Sequence, residues 1–406
     1  MFLDDRQRLG VQEIQARHAQ APSLPVDYGN RVNSSLDHRY PRLLLTGSVD
    51  RVITFFRAVL FALVGMIFAS GVAVAEPDGG NSRYDRWART SGTVLAGWYN
   101  SQTGLYDTTN WWNAANALNA EIDLSRQQRL DVGARHAAIT YERNIAGGFF
   151  NHYYDDEGWW ALAWINAYDL TKDKRYLATA RSVFGDMTTG WDDVCGGGIW
   201  WNKERTYKNA IPNELFISVA ARLAARTKGA ASKEYLEWAR KGWTWFANSG
   251  MINSAGLIND GLDDSCANNG RPTWTYNQGV ILGALTDLAV LTRDPELLRT
   301  AHRIANAAIT TIVYPNGILR EPCEPTVCGA DGPQFKGVFM RNLSYLNERS
   351  PRPQYADFIR LNAKSIWEHN RNAANQIGLV WTGPFDSADA ARQSSAQDAL
   401  NAAAAL

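Results

Sequence analysis

Trp159-Trp160-Ala161-Leu162-Ala163-Trp164-Ile165-Asn166-Ala167-Tyr168-Asp169-Leu170-Thr171 is apolar nearly all round, and Lys174-Arg175-Tyr176-Leu177-Ala178-Thr179-Ala180, after a short polar turn, is polar along one face. The first reads as an interior helix and the second as an exterior helix packed against it. The pair recurs. Glu214 to Thr227 precedes Glu234-Tyr235-Leu236-Glu237-Trp238-Ala239, and Gly279 to Thr292 precedes Pro295-Glu296-Leu297-Leu298-Arg299-Thr300-Ala301. Weaker copies are Trp111 to Leu124 before Arg126 to Arg143, and Lys336 to Asn347 before Gln354 to Asn370, where Pro351 and Pro353 break the helix. Arg83 to Tyr99 is an outer-type helix without a predecessor and Ser394 to Leu406 an inner-type helix without a successor, so together they complete a sixth pair. Six helical hairpins closing on themselves predict an all-α fold, an (α/α)6 toroid.

Long Gly-rich loops at 144–156, 192–211, 251–277, 314–335 and 373–389 each run from an outer helix to the next inner one, so they emerge at one end of the toroid. That end is where a site is expected, because loops on a rigid scaffold carry function.

Composition narrows the class of partner. The 41 basic and 41 acidic residues are well mixed, which leaves no cationic stripe for nucleic acid. Sixteen Trp and sixteen Tyr exceed what a core of this size needs, and aromatic faces along a groove suit the apolar faces of sugar rings. No nucleotide-binding glycine motif and no metal-ligand spacing of His or Cys is present, so no cofactor and no metal are expected.

The stretch from Arg57 to Glu76 has basic flanks, 18 apolar or small residues from Ala58 to Ala75 and an Ala-x-Ala end. It reads as a secretory signal cleaved after Ala75, with an uncleaved membrane anchor through 58–75 as the alternative. The long polar tail before it is abnormal for a signal and suggests a start placed too far upstream. Residues 1–75 are therefore set apart as extension plus signal, and 76–406 as one catalytic domain. Cys195, Cys266, Cys323 and Cys328 all follow the signal, where export permits disulfides. The reading pairs Cys323 with Cys328 across a Pro-containing loop and leaves Cys195 and Cys266 either paired or free.

Chemistry is suggested where Tyr153-Tyr154-Asp155-Asp156 ends the first loop. Glycoside hydrolysis needs two carboxyl groups flanking one bond, roughly 5 to 5.5 Å apart for retention and 6.5 to 9.5 Å for inversion. The plain alternative is that one aspartate caps the following helix. Equivalent places in other repeats supply Trp201, Lys208, Asn209 and Asn213; Asp260, Tyr276, Asn277 and Gln278; and Gln334, Phe335 and Lys336. Trp111, Trp112 and Asn116 open the first inner helix, while Tyr154 and Trp159 flank the acids. Each has a structural alternative: Asn213 as a helix cap, Asp260 as a turn residue, Lys336 as a neutraliser of a helix end, Trp111 and Trp112 as core. His152 stands near the acids and could position them.

Taken together, Tyr154-Asp155-Asp156 with Trp159 to Ile165, Gly197-Gly198-Ile199-Trp200-Trp201 with Tyr207-Lys208-Asn209-Ala210, Tyr276-Asn277-Gln278-Gly279 and Gln334-Phe335-Lys336-Gly337 resemble glycoside hydrolase family 76, the endo-α-1,6-mannanases, in register from about residue 85 to 385. The resemblance implies an (α/α)6 barrel and a retaining, metal-independent double displacement, with Asp155 as nucleophile and Asp156 as general acid and then base. It implies an α-1,6-mannan or another mannose-containing glycan as partner, acted on by a secreted monomer. Unlike wall-anchored fungal members, the chain shows no C-terminal hydrophobic tail, so soluble secretion is expected. Other readings of the toroid are an inverting glycosidase, an unsaturated glucuronyl hydrolase or a sugar epimerase, or a non-catalytic glycan-binding wall protein.

Overall fold

A computed structural model describes residues 80–406, and the signal or anchor read at 58–75 lies outside the described residues. Twelve α-helices are present among those described. The inner helices are α2 (Trp111–Gln128), α4 (Tyr154–Thr171), α6 (Ala210–Arg226), α8 (Thr275–Thr292), α10 (Gly332–Arg349) and α12 (Ala390–Ala404). The outer helices are α1 (Gly80–Ala96), α3 (Val132–Asn144), α5 (Lys174–Thr188), α7 (Gly229–Asn248), α9 (Pro295–Thr311) and α11 (Pro353–His369). Each inner helix packs on the next, and α12 touches both α10 and α2, so the ring closes. The (α/α)6 arrangement is therefore as the hairpin repeat predicts. Two-residue strands β1 (Tyr99–Asn100) and β2 (Leu105–Tyr106) pair antiparallel in the first connection.

Inner helices α4 and α8 are buried over most of their length, which explains their lack of an apolar stripe. Glycines let them approach closely. A Cβ on Gly279 would stand 2.6 Å from the Phe339 Cα, and one on Gly337 would stand 2.5 Å from the Ser395 Cα. Helix α12 is held differently, by amides. Gln393 Nε2 donates to Ser91 Oγ at 2.9 Å, Gln397 Nε2 to the Ala88 carbonyl at 3.0 Å, and Asn401 Nδ2 to the Ala120 carbonyl at 2.9 Å, tying the last inner helix to the first two helices of the ring.

The connections between repeats share one construction. Bridges Trp191↔Ile199, Ile252↔Ile258, Val313↔Leu319 and Arg371↔Ile377 fold the start of four loops into tight hairpins. Gly197, Gly256, Gly317 and Asn375, each two residues before the closing bridge residue, take the positive φ that each turn requires. A helix amide then grips each hairpin's last bridge residue. Asn213 bonds both the N–H and the carbonyl of Ile199, Gln278 does the same for Ile258, and Gln393 and Asn362 accept from the N–H of Ile377 and Leu319.

Two residues further on, the loop caps the inner helix of the repeat before. The Trp201 carbonyl accepts the Tyr154 N–H at 2.9 Å, the Asp260 carbonyl the Ala210 N–H at 2.8 Å, and Glu321 Oε1 the Thr275 N–H at 3.0 Å. Helix N-termini leave orphan donors that must find partners when buried. Outer helices α5 and α9 meet this need with their own Asp173 and Asp294.

Both disulfides form. Cys323 pairs with Cys328 as read, and Cys195 pairs with Cys266, joining two loops at the same end across 71 residues of chain. Cross-linking a loop of that length stabilises by about 4 kcal/mol in the chain-entropy account. Disulfides of this kind suit an oxidising, extracytoplasmic setting. Among the described residues no helix is long and apolar enough to cross a membrane.

Overpacking against backbone that cannot yield should make Gly279→Ala and Gly337→Ala each cost about 1–3 kcal/mol or more, read as a lower urea midpoint. Gly185→Ala, where nothing lies within 4 Å, is the control and should be neutral or stabilising. Burial pushes the Glu321 carboxyl up to about 8 and the Asp398 carboxyl up to about 7. The folded state then holds more protons than the unfolded chain between the ordinary carboxylate range and pH 8, so stability must fall as pH rises through that window. The urea midpoint should be higher at pH 5 than at pH 8, and Glu321→Gln should flatten the slope.

Candidate active site

Asp155 and Asp156 lie in the first turn of α4, one turn deeper into helix than the sequence suggests. Neither caps it, because Tyr153 holds the N-cap position and the Tyr154 N–H goes to the Trp201 carbonyl. Trp201 thus reaches α4 twice: its Nε1 also donates to Asp155 Oδ2 at 3.1 Å. Both aspartates stay partly exposed.

Their proton affinities are pushed apart. Burial raises Asp155 to about 7, against the pull of the Trp201 indole N–H and nearby backbone N–H groups, which favour the anion. Burial raises Asp156 well above the ordinary range, and the charges of Asp155, Asp331 and Glu157 add to the rise with no opposing donor. The two titrate as a pair, in which the hydrogen-bond donors favour the anion on Asp155. The N-terminal end of α4 also favours negative charge at its first turn.

Further carboxyls surround them. Asp331, the N-cap residue of α10, accepts from Trp112 Nε1 at 2.7 Å and Asn110 Nδ2 at 3.0 Å, and its charge acts on both aspartates. Asp260 accepts from the Tyr207 hydroxyl at 2.7 Å. Glu214 is fully buried, and burial, then the charge of Asp260, raises its carboxyl well above the ordinary range. Burial and the charges of Asp260, Asp155, Asp331 and Glu214 all raise the Tyr276 phenol, which places it among the four acids. Glu157, raised by burial to about 8, accepts from the Asn151 N–H and is paired with Lys203 at 3.0 Å.

Beneath the acids four rings form a closed circuit. Trp112 meets Trp159 at 5.5 Å between ring centroids, Trp159 meets Tyr276 at 6.4 Å, Tyr276 stacks on Phe335 at 3.9 Å, and Phe335 returns to Trp112 at 6.0 Å. One ring comes from each of α2, α4, α8 and α10. Beside them Trp201, Tyr207, Leu262, Asn269 and Arg271 help line a loop-end cavity of about 390 Å³.

Other expected site residues serve the scaffold instead. Lys208 is buried, its Nζ spent on Asp192 Oδ1 at 2.7 Å and on the Val194 and Gly197 carbonyls at 2.6 Å. Lys336 is buried against Glu324 and the Leu379 carbonyl. Asn213 and Gln278 are the hairpin clamps, and Gln334 accepts from Ser394 in the interior. Asn116 accepts from Arg341 below the ring circuit. Trp111 packs on Phe149 and Trp160, and the Tyr154 hydroxyl bonds Thr189 at the end of α5. Asn277 and Asn209 are buried, with amide atoms that find no partner among the described residues. His152 pairs with Glu204 rather than with the aspartates. Buried lysines and amides look like ligand groups in sequence, and only the packing reveals that backbone carbonyls have claimed them.

Asp331 is absent from the sequence reading, and Tyr207 and Glu214 enter it only within quoted motifs, without a role of their own at the site. Asp331 looks like an ordinary cap before Gly332-Pro333, yet its place at the head of an inner helix repeats that of Asp155. No group of three or more His, Cys, Asp or Glu is placed to hold a metal among the described residues.

The model of glycosyl hydrolase family 76 matches residues 84–406. Mannan endo-1,6-alpha-mannosidase DCW1 of Saccharomyces cerevisiae is 30% identical over 297 residues, and DCW1 of Candida glabrata is 27% identical over 300, each alignment covering 66% of this chain and 65% of the relative. The chain thus spans a little under two thirds of the length of these curated relatives. In structure it is similar to Dfg5 from Chaetomium thermophilum in complex with glucosamine, at a TM-score of 0.73 and 20% identity over 80% of this chain and 90% of that one. It is also similar to an inactive variant of the α-1,6-mannanase GH76A of Salegentibacter, with two consecutive aspartates replaced and α-1,6-mannotetrose bound, at a TM-score of 0.71 and 23% identity over 79% and 98%. With the family match running from the first outer helix to the last inner one, the chain belongs to glycosyl hydrolase family 76.

Proposed function

We propose that this chain is a secreted, retaining endo-α-1,6-mannanase whose catalytic domain is residues 76–406. The observation that carries the proposal is the pair of adjacent, partly exposed aspartates at the head of α4, of which Asp155 takes the Trp201 indole N–H at 3.1 Å. Family membership supports it, as does the inactivity of the Salegentibacter variant that lacks two consecutive aspartates. In this reading Asp155, as the carboxylate that the Trp201 indole holds, attacks the anomeric carbon while Asp156, as the acid, delivers its proton to the leaving oxygen. Asp156 then deprotonates the water that releases the mannosyl-enzyme. Trp201 holds the nucleophile's carboxylate and keeps it anionic. The Trp112, Trp159, Tyr276 and Phe335 rings form the apolar floor, and Asp260 with Tyr207 supplies hydroxyl contacts. The reading extends to soluble release after cleavage at Ala75, with retention through 58–75 as its alternative.

The direct test is incubation with unbranched α-1,6-mannan followed by product sizing. A ladder of short oligomers is expected, and proton NMR of the first product should show the α-anomer. Products of inverted configuration, or mannan binding without new reducing ends, would overturn the proposal. Asp155→Asn and Asp156→Asn should each remove nearly all turnover with circular dichroism unchanged. Trp201→Phe removes one donor from Asp155, so its carboxyl rises further and the acid limb of the kcat/KM profile must move to higher pH. A hydrogen bond to a charged group contributes about 1.5–3 kcal/mol, so activity below that limb should fall roughly 10- to 100-fold.

A further inference from the structure

The larger of the two cavities described, about 530 Å³, lies at the end of the ring opposite the aspartates. Its walls are the C-terminal halves of the six inner helices, and Trp159 lies at its inner limit. The same ring belongs to the aromatic circuit under the acids, which separates the two ends.

A closed helical ring has no need for charge at this depth, since apolar side chains would fill it more stably than buried ion pairs. Yet the lining balances five arginines against five Asp or Glu side chains. These groups are held in fixed planes. Arg222 donates from Nε to Asp287 Oδ2 at 3.1 Å and from Nη1 to Asn166 Oδ1 at 3.0 Å. Tyr345 fixes the other oxygen of Asp287 through its hydroxyl. Arg341 donates to Asp398 Oδ2 at 2.8 Å, while Asp398 Oδ1, on a side chain only 1% exposed, finds no partner among the described residues.

We propose that this cavity is a second binding site, for a neutral mono- or disaccharide. Five arginines facing five acids leave no strong excess of charge to draw in a phosphate or other anion. Clamped guanidinium, carboxylate and amide planes offer donors and acceptors side by side, as vicinal hydroxyls require. Its volume falls within the range of small-ligand sites. The site is separate from the hydrolytic reading, and because Trp159 lies one helical turn beyond Asp155, a sugar seated here presses on the floor of the catalytic end.

Isothermal titration of the full chain with D-mannose and with α-1,6-mannobiose tests the proposal. Ser344→Trp, on α10 in the cavity lining, should weaken one class of sites at least about tenfold while mannan hydrolysis persists. Asp287→Asn, which keeps the shape but removes the charge that orients Arg222 and Tyr345, should do the same and decides the matter if Ser344→Trp does not fold. No binding of either sugar at millimolar concentration, or binding indifferent to both variants, would overturn the proposal. Sugar binding lost on these substitutions in a chain that does not cleave mannan would leave this site standing and remove the hydrolytic reading instead.

Discussion

Every buried helix start must satisfy backbone N–H groups that have no partner within the helix, and for four of the six inner helices here the following connection around the ring supplies one. Trp201, Asp260 and Glu321 stand two residues beyond a clamped hairpin and close the first N–H of α4, α6 and α8. In the first connection Thr108, two residues beyond the β1–β2 pair, does so for α12 across the seam of the ring. A loop that caps its neighbour cannot be moved without unsatisfying a helix. The loop end is therefore rigid where it matters, and the side chains that follow each clamp are delivered to the preceding inner helix of the ring.

That delivery creates the site. Trp201 bonds the Tyr154 N–H through its carbonyl and Asp155 through its indole, so one residue both ends a helix and tunes a carboxylate. Asp260 likewise closes α6 with its backbone and turns its carboxylate to Tyr207. Crowding several acids at low dielectric raises their proton affinities, and the few N–H donors present favour the anion on Asp155. Two adjacent residues of one helix thereby meet different surroundings without differing in chemistry.

The two ends of the ring differ in what balances charge. Near the aspartates, carboxyls outnumber cations and remain partly protonated. At the opposite end arginines match acids, and the charges are held as pairs. The aromatic circuit of Trp112, Trp159, Tyr276 and Phe335 insulates one from the other.

The sequence by itself determined the repeat, the inner and outer roles of the helices and the end at which long loops gather, because burial on all sides or on one side leaves a periodic trace. It misplaced most inner helix starts by about a turn, beginning α6 at Glu214, α8 at Gly279, α10 at Lys336 and α12 at Ser394 where the helices begin at Ala210, Thr275, Gly332 and Ala390. The reason is physical. Those first turns carry the Asn, Gln and Asp residues that clamp hairpins or face the site, and polar residues interrupt an apolar pattern. Only tertiary structure decided which polar groups are spent on backbone, as with Lys208, Lys336, Asn213 and Gln278, and which stay partly exposed at the loop end, as with Asp155 and Asp156. That choice depends on what lies opposite each side chain across the ring, and a partner hundreds of residues away leaves no mark on local spacing.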